Sequence, residues 1–491
     1  MTGHSALARP LARAADPVRA AIGGLMPGSS PAGGSALLRN GYALMANTVV
    51  TGVLGLAYWL LAARHYHPAD VGRASAAYAA MNLLAGITAF SLIGAMARFI
   101  PQSGRATGRL VRLGYGVSVL SAVAGSVVFL SVTGRPGSSY SELTGVTAGI
   151  IFTGAVIIWS LFTLQDGVLV GLRNANWVTL ENGLFGLAKI GLLLPLATLI
   201  PHAGIYISWI VPAALAVPLV NWLIFRKLLP GHARKTGNAR PPGRSQIGRF
   251  LAGDVPGALL LLATISLVPV LVAMFVAPGS NAYFYIPWTI GCTLDLLSVS
   301  MALSLTVEGA FDPVKLASHA KAALRRMLII GVPVALAAAL LAPWLLGLFG
   351  AGYASEGAPI LVLLAAATVP RTLTEIYLGA LRAQNRTSRV ALVQGLRTAL
   401  VLGLTLVLTR YLGIIGAGIG VLISQVVVAI AVLPGLLGVL RADRRTGRAS
   451  RPARFGPRQA REPAPVPAGR LPAEADGREI EVRNRCRGDA A

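Results

Sequence analysis

About twelve apolar segments between Gly41 and Leu440 constrain this chain more than any other feature of its sequence. Each is about 20 residues long, which is enough for a helix to cross the hydrocarbon core of a bilayer. Because lipid offers no hydrogen bonds, a spanning segment must satisfy its own backbone groups, as a helix does. The segments are 41–63, 71–97, 110–133, 145–170, 178–200, 203–225, 250–277, 282–306, 324–349, 357–381, 390–410 and 413–440.

The low content of charged residues agrees with these segments. Charged residues make up 12% of the chain, and the mean hydropathy is +0.67, whereas soluble domains carry about 25% charged residues. A soluble fold would have to bury every apolar segment at once. We therefore predict an all-α integral membrane protein with about 12 transmembrane helices.

Arginine and lysine are concentrated in every second connection between the spans. Short cytoplasmic loops of membrane proteins carry such an excess of basic residues. We therefore expect a multi-pass protein of the plasma membrane with both termini in the cytoplasm. This also accounts for the net charge of +25 without a nucleic-acid partner. The basic connections lie near residues 98–112, 173, 226–249, 315–326 and 382–389.

The longest internal connection divides the spans into six and six. It runs from Arg226 to Arg249 and contains Pro241-Pro242-Gly243. The two terminal tails are rich in Arg, Pro, Ala or Gly and cannot bury a core, so we expect them to be disordered. The predicted organisation is a cytoplasmic N-terminal tail (1–38), an N-lobe (39–227), a cytoplasmic linker (228–248), a C-lobe (249–441) and an Arg/Pro-rich C-terminal tail (442–491).

One stretch of the chain occurs twice. Leu161–Ile210 matches Pro370–Ile419 without a gap, at an offset of 209 residues. Both copies carry their basic turn on the same side, which predicts two parallel-repeat lobes around a central cavity, an organisation typical of secondary transporters. The matched pairs include Asp166 and Glu375, Arg173 and Arg382, Gly186 and Gly395, and Gly204 and Gly413.

Each copy of the repeat has a carboxylate seven residues before an arginine. Seven residues are close to two helical turns, so both side chains of a pair lie on one face of the helix. We predict that Asp166 pairs with Arg173 and Glu375 with Arg382, and that these pairs hold or gate the ends of the two hairpins.

Four charged residues inside the spans are candidates for substrate binding. Such residues cost about 2.5–3.5 kcal/mol each on insertion scales and usually face an interior cavity. Lys189 and Arg397 fall within one residue of repeat equivalence, which would place them on opposing walls. A structural alternative stays open for both, since Lys189 could pair with Glu181, and Arg397 with a neighbouring helix. The four candidates are Lys189, Arg397, Asp295 and Arg371.

Other functional classes find little support. The chain contains no nucleotide-binding, zinc-protease or serine-hydrolase motif, and no loop long enough for a catalytic domain, so we expect no enzymatic activity. Two cysteines and six scattered histidines predict neither a metal site nor a cofactor. A membrane scaffold without transport would not need the charges of Lys189, Asp295 and Arg397 inside its spans.

Several local features resemble polysaccharide flippases of the multidrug/oligosaccharidyl-lipid/polysaccharide exporter (MOP) superfamily. These are the second span ending in GAMARFIP, the turns GLRNAN and ALRAQN after the fourth and tenth spans, and the six-plus-six layout. The resemblance covers residues 39–440. It implies a flippase that moves an undecaprenyl-pyrophosphate-linked oligosaccharide to the outer leaflet. It also implies partners: the lipid-linked glycan, anionic membrane lipid, and a polysaccharide polymerase or glycosyltransferases.

Two other transporter types remain as alternatives. A cation-coupled multidrug exporter of the same superfamily often carries an acidic residue in its first span, whereas 41–63 has none. A major facilitator would also have six plus six spans, but its acidic–basic loop signature is not matched by RFIPQSGRATGR. Under the flippase interpretation, Lys189 and Arg397 attract the pyrophosphate of the substrate.

Overall fold

A computed structural model describes residues 34–133, 137–236 and 242–449. These ranges contain helices and turns but no strand. The helices of the repeated architecture are α1 (Gly34–His65), α2 (Pro68–Phe99), α3 (Thr107–Thr133), α4 (Val146–Gly171), α5 (Ala175–Leu199), α6 (Gly204–Leu223), α7 (Arg244–Leu262 and Val268–Phe275), α8 (Pro278–Phe311), α9 (Leu316–Leu340), α10 (Ala358–Ala383), α11 (387–412) and α12 (413–449). Short helices at Leu229–Lys235 and Ala342–Gly347, and π-helical turns at Ile224–Leu228, Ala263–Leu267 and Tyr353–Gly357, extend or connect them.

The predicted fold class is confirmed. Within the described ranges, nine helices are long and apolar enough to cross a membrane, with α11 and α12 counted together. A tenth is added by α2, which bends by 45° between Ile87 and Ser91. The arrangement is all-helical and two-lobed, with about 12 transmembrane helices.

Gly413 separates α11 from α12. Its backbone has φ 61° and ψ −144°, a conformation essentially restricted to glycine. The two helices then pack backbone to backbone. A Cβ atom at Gly416 would lie 2.1 Å from the carbonyl oxygen of Leu408, and one at Gly420 would lie 2.9 Å from the backbone nitrogen of Thr405. The glycines therefore permit a tight helical hairpin.

The N-half (α1–α6) and the C-half (α7–α12) share a hydrophobic core at one end of the bundle. We call the end with the turns at 66–67, 137–145, 200–203, 276–277 and 341–352 the arginine-poor side. The opposite end, with the turns at 100–106, 172–174, 236–243, 312–315 and 384–386, is the arginine-rich side. At the arginine-poor side both halves contribute to one hydrophobic core, in which Tyr58 and Phe152 of the N-half join Tyr285, Phe349 and Tyr353 of the C-half.

Hydrogen bonds between the halves lie at the same end. Arg64 Nε donates to Leu348 O over 2.5 Å, and the Ser139 amide donates to Ala273 O over 3.1 Å. The helices α2 and α8 approach so closely that a Cβ atom at Gly72 would lie 1.6 Å from a carbonyl oxygen of α8. The arginine-poor side is therefore closed.

Towards the arginine-rich side the described residues form separate cores. One belongs to the N-half and contains Met96, Ile100 and Leu164, whereas another belongs to the C-half and contains Leu316 and Met327. A contact between the halves at this end joins Phe99 of α2 to Phe250 of α7, with ring centroids 5.5 Å apart. The two halves are thus closely joined at one end and share less at the other.

Some predicted boundaries need correction. The first helix begins at Gly34, inside the tail predicted at 1–38, and α12 continues to Ala449, inside the tail predicted at 442–491. The predicted linker 228–248 contains the helix Leu229–Lys235 and the start of α7. Residues 1–33, 237–241 and 450–491 of these predicted segments lie outside the described residues.

The hairpins keep the repeat, but not its ungapped register. The helices before the two basic turns end at Gly171 and Ala383, which are 212 residues apart, whereas the sequence match has an offset of 209. The later pair Gly204 and Gly413 returns to 209. The connection 200–203 between α5 and α6 has no counterpart between α11 and α12. Glu375 lies almost one turn further from its turn than Asp166 does.

Candidate functional site

Four charged side chains meet in the C-half. Asp295 of α8 forms an ion pair with Arg371 of α10, and Arg397 Nη1 of α11 donates to Glu375 Oε1 of α10 over 2.5 Å. Asp295 also interacts electrostatically with Arg397 and Glu375. The cluster therefore holds two cations and two carboxylates. It confirms the alternative in which Arg397 pairs with a neighbouring helix.

The two arginines of this cluster have N–H groups that donate no hydrogen bond to a described residue. Arg397 is 0% exposed, yet its Nε and Nη2 have no hydrogen-bond partner among the described residues, and the Nε of the buried Arg371 has none there either. Leaving a buried donor unpaired costs about 1–3 kcal/mol, and more when it is charged. These N–H groups are therefore free to bind an acceptor that enters the protein.

A cavity of about 330 Å³ lies beside the cluster. Asp295 and Arg371 line it, as two of the four predicted substrate residues, together with Thr264, Cys292 and Gln425. Arg397 does not line it, so the prediction that Arg397 faces a cavity wall opposite Lys189 does not match its position. All lining residues belong to the C-half. The rest of the wall is formed by Ile265, Trp288, Gly291, Thr293, Leu296, Val299, Leu364, Ala367, Val401 and Val421.

The two carboxylates of the predicted hairpin ion pairs bind other partners. Asp166 accepts hydrogen bonds from Asn182 Nδ2 over 3.2 and 3.3 Å, and Glu375 pairs with Arg397. Among the described residues neither carboxylate has its predicted arginine within ion-pair distance. Arg173 lies in the turn itself, after the end of α4, where it is exposed and has φ 60°.

A second carboxylate lies near Asp166. Glu181 of α5 is 6% exposed, and neither of its carboxylate oxygens has a hydrogen-bond partner in the described part of the chain. It interacts electrostatically with Asp166 and with Tyr115, whose hydroxyl is also buried without a partner. The N-half thus holds two carboxylates that no described cation neutralises. Glu181 does not pair with Lys189, as one alternative had it.

Lys189 lies among aromatic rings instead. Its Nζ is 3.8 Å from the centroid of Trp209, 4.8 Å from that of Tyr58 and 5.2 Å from that of Phe185. Among the described residues no carboxylate lies within ion-pair distance of it. A desolvated ammonium over aromatic faces gains about 2 kcal/mol or more. The structure therefore separates Lys189 from the charged cluster of the C-half.

These rings belong to a larger cluster that sequence reasoning missed. Trp209 lies 4.2 Å from Tyr78, and Trp59 lies 5.1 Å from Tyr285, which belongs to the C-half. The rings come from six different helices, so no local spacing in the sequence could have indicated them. We call this set the aromatic cluster, and it comprises Tyr58, Trp59, Tyr78, Trp159, Phe162, Phe185, Trp209 and Tyr285.

Polar groups at the arginine-poor side tie the turns of the N-half together. Asp70 accepts from Arg73 over 2.6 Å and lies 3.1 Å from His202 Nδ1. Tyr66, in the turn between α1 and α2, donates to Leu193 O over 2.7 Å. Burial raises the pKa of the Tyr66 hydroxyl to about 12, so it stays a protonated donor at neutral pH. Among the described residues there is no group of three or more potential metal ligands.

Solved structures with the same fold are MATE family transporters of the MOP superfamily. The chain superposes on the inward-facing conformation of a multidrug resistance MATE family transporter with a TM-score of 0.57 and 16% identity, over 82% of this chain and 99% of that one. For the outward-facing conformation of a multidrug resistance MATE family transporter the TM-score is 0.53 and the identity 17%, over 84% and 96%.

A MOP superfamily transporter from Pyrococcus furiosus, whose reverse polarity of the binding pocket suggests a different function, matches with a TM-score of 0.51 and 16% identity, over 83% and 96%. At these identities the likeness establishes the fold. No protein-family model matches the chain, and no curated protein sequence matches it.

Proposed function

We propose that this protein is a membrane transporter that flips an undecaprenyl-pyrophosphate-linked oligosaccharide by alternating access, for cell-surface polysaccharide biosynthesis. Its fold, shared with MATE transporters in two conformations, supports transport as such. So does the arrangement of the halves, which share a core at the arginine-poor side and keep separate cores towards the other. Alternating access requires repeats that can rock against each other in this way.

The pairing of charges in the C-half is the observation that favours a lipid-linked pyrophosphate over a cationic drug as the substrate. Asp295 is the carboxylate that lines the cavity, and Arg371 neutralises it. A cationic drug would therefore find no free carboxylate there. Arg371, which lines the cavity, offers an unpartnered N–H donor instead, and guanidinium donors match the oxygens of a phosphate group. The pyrophosphate of a lipid-linked sugar has this chemistry.

A second candidate is a cation-coupled multidrug exporter of the same superfamily. The observation that favours it is the pair of unneutralised carboxylates, Glu181 and Asp166, in the N-half. Burying an ionised carboxylate without a partner is costly, so such a group takes up a proton or a cation. Coupling to cations is also compatible with a flippase. The identity of the transported substrate therefore distinguishes the flippase from the drug exporter.

A flipping assay tests the substrate. Purified protein is reconstituted in liposomes with a fluorescent polyprenyl-pyrophosphate-linked oligosaccharide, and membrane-impermeant quenching reports how much of the lipid has crossed. We expect flipping by the wild type and a loss of about tenfold or more in Arg371→Gln, because one charge-assisted hydrogen bond is removed. Arg410→Gln is the matched control, since Arg410 is exposed and contacts the ring of Phe275 rather than the cavity.

The same liposomes distinguish the alternative. Uptake of tetraphenylphosphonium driven by a proton or sodium gradient, with no flipping of the lipid-linked glycan, would establish the drug exporter and overturn the flippase. In that case Arg371→Gln should keep or increase drug uptake, because it frees the carboxylate of Asp295 for a cationic substrate.

The remaining parts of the proposal concern location and partners. The basic turns support a plasma-membrane protein whose arginine-rich side and both termini face the cytoplasm. The lipid-linked glycan would then enter from the arginine-rich side and leave from the arginine-poor side. Anionic lipid and a polysaccharide polymerase or glycosyltransferases are the partners that this role calls for.

A further inference from the structure

The buried lysine of the N-half and the rings around it form a site distinct from the charged cluster of the C-half. We propose that Lys189 and the aromatic cluster bind the sugar-phosphate part of the substrate, with rings stacked on the sugar faces and Lys189 Nζ on a phosphate oxygen. This rests on the function proposed above, because it takes the substrate to carry a glycan.

The partners of Lys189 are the first ground for this site. Its ammonium group has three aromatic faces within 5.2 Å, and no carboxylate of the described residues pairs with it. Cation–π contacts stabilise the ammonium group, but they do not neutralise its charge as a bound anion would. A phosphate oxygen that reached Nζ would supply a charge-assisted hydrogen bond of the stronger class.

Unpartnered polar atoms next to Lys189 are the second ground. Trp209 is 7% exposed, and its Nε1 makes no well-aligned hydrogen bond to a described residue, although the Tyr58 hydroxyl is near enough to interact with it. The hydroxyl of Tyr206, one helical turn earlier, is also buried and has no partner within the described ranges. Buried indole and phenol groups usually find a partner. Here they provide hydrogen-bonding groups beside a wall of rings, which is the combination that a sugar requires, because its faces present C–H groups and its edge presents hydroxyls.

The third ground is the position of the cluster at the contact between the halves. Trp209, which touches Lys189, lies 4.2 Å from Tyr78. Tyr78 and Trp59 in turn face Tyr285 of the C-half, with centroids 6.4 and 5.1 Å away. When the halves part at the arginine-poor side, Tyr285 leaves and the faces of Trp59 and Tyr78 become accessible. The site is thus placed to hold the glycan on the release side.

The site is closed in this conformation. A cavity of about 10 Å³ lies between Trp59, Tyr78, Tyr206 and Trp209, which is room for about one water molecule. A sugar ring cannot enter until the halves separate. Binding must therefore depend on the open population, since the apparent affinity of a ligand scales with the fraction of molecules that can bind it.

Binding of small sugar phosphates tests the site directly. Purified protein is titrated with glucose 1-phosphate, glucose and inorganic phosphate, and tryptophan fluorescence is followed. We expect glucose 1-phosphate to bind about tenfold more tightly than either component, because rings and lysine act together. Lys189→Met should lose this gain and Lys189→Arg should keep it. Trp209→Leu should weaken binding of both glucose and glucose 1-phosphate, and Trp209→Phe should retain most of it.

The chain offers a matched control pair. Lys227 Nζ lies 5.3 Å from the ring of Trp222, but Trp222 is 56% exposed and lies near the arginine-rich end of α6, outside the aromatic cluster. Lys227→Met and Trp222→Phe should bind glucose 1-phosphate like the wild type. Each variant is compared at equal yield and detergent melting temperature, so that misfolding is recognised.

The outcomes separate this site from the proposed function. Unchanged binding of glucose 1-phosphate in Lys189→Met, or no binding by the wild type, overturns the site. Normal glycan flipping by the double variant Lys189→Met, Trp209→Leu, with loss in Arg371→Gln, overturns the site and leaves the flippase standing. Tighter binding of tetraphenylphosphonium by Lys189→Met, without glycan flipping by the wild type, overturns both.

Discussion

Asn281 donates a hydrogen bond from Nδ2 to the carbonyl oxygen of Gly72 over 2.9 Å, and the two residues lie within one residue of equivalent places in the two halves. Gly72 is the fifth residue of α2 and Asn281 the fourth residue of α8, and they are 209 residues apart. Residues related by a two-fold axis can touch only near that axis. The contact therefore indicates that the pseudo-two-fold axis passes close to the first turns of α2 and α8.

The close approach of α2 and α8 at Gly72 predicts that a larger residue there prevents the two halves from closing at the arginine-poor side. In Gly72→Ala the new Cβ would lie 1.6 Å from Pro278 O, so α2 and α8 must move apart at the arginine-poor side. Spin labels on His202→Cys and Ser355→Cys, one in each half and both exposed, should report a longer distance in this variant than in the wild type.

Gly279→Ala is the control for that measurement. Gly279 lies next to Pro278, but a Cβ atom there would meet nothing within 4 Å, so its label distance should match that of the wild type. If Gly72→Ala gave the wild-type distribution as well, the contact between α2 and α8 would not limit closure. Because Gly72→Ala favours the open state, it should also bind glucose 1-phosphate more tightly than Gly279→Ala does.

The buried ion pair of the C-half predicts a graded loss of stability. Arg397→Gln or Glu375→Gln leaves one buried charge unpaired and should cost about 3–5 kcal/mol. The double variant Glu375→Leu, Arg397→Leu removes both charges and should be closer to the wild type than either single variant. Asp166→Asn should lower the detergent melting temperature less than Glu375→Gln, since its observed partner is the neutral Asn182. Equal effects of the single and double variants would contradict this coupling.

The backbone at Gly413 predicts a local requirement for glycine. Its φ of 61° with ψ −144° is strained for any residue with a Cβ, so Gly413→Ala should cost about 1–3 kcal/mol. Gly403→Ala lies in the same helical hairpin, where a Cβ would meet nothing within 4 Å, and should be neutral or slightly stabilising. Thermal unfolding of the purified variants in detergent measures both, and a tolerated Gly413→Ala would refute the requirement.

The distribution of basic residues predicts the topology. In a variant whose two native cysteines are replaced by serine, single cysteines are introduced at Gly137 and at Gly243, on opposite sides of the bundle. An impermeant thiol reagent applied to intact cells should label the cysteine at 137 and not the one at 243. The reverse pattern would invert the orientation and place both termini outside.

Part of the candidate site was predictable. A charge inside an apolar span is visible in the sequence, and Asp295, Arg371 and Arg397 do come together in the C-half. Their partners were not predictable, because Arg397 and Glu375 lie on two different helices, and packing decides how each helix is rotated about its axis. The predicted equivalence of Lys189 and Arg397 also assumed an ungapped repeat, whereas the helices on either side of the basic turns are offset by 212 residues instead of 209.

The sequence by itself determined that the chain is all-helical, about where its spans begin and end, and that it is built from two related halves. These properties follow from local causes, because each apolar run must satisfy its backbone internally in lipid. The tertiary structure decided which side chains meet: the Lys189 cage, the unpartnered Glu181 and the Asn281–Gly72 contact at the axis. In lipid, unlike water, every face of a helix can be apolar, so hydropathy does not indicate its rotation, and only packing between helices does.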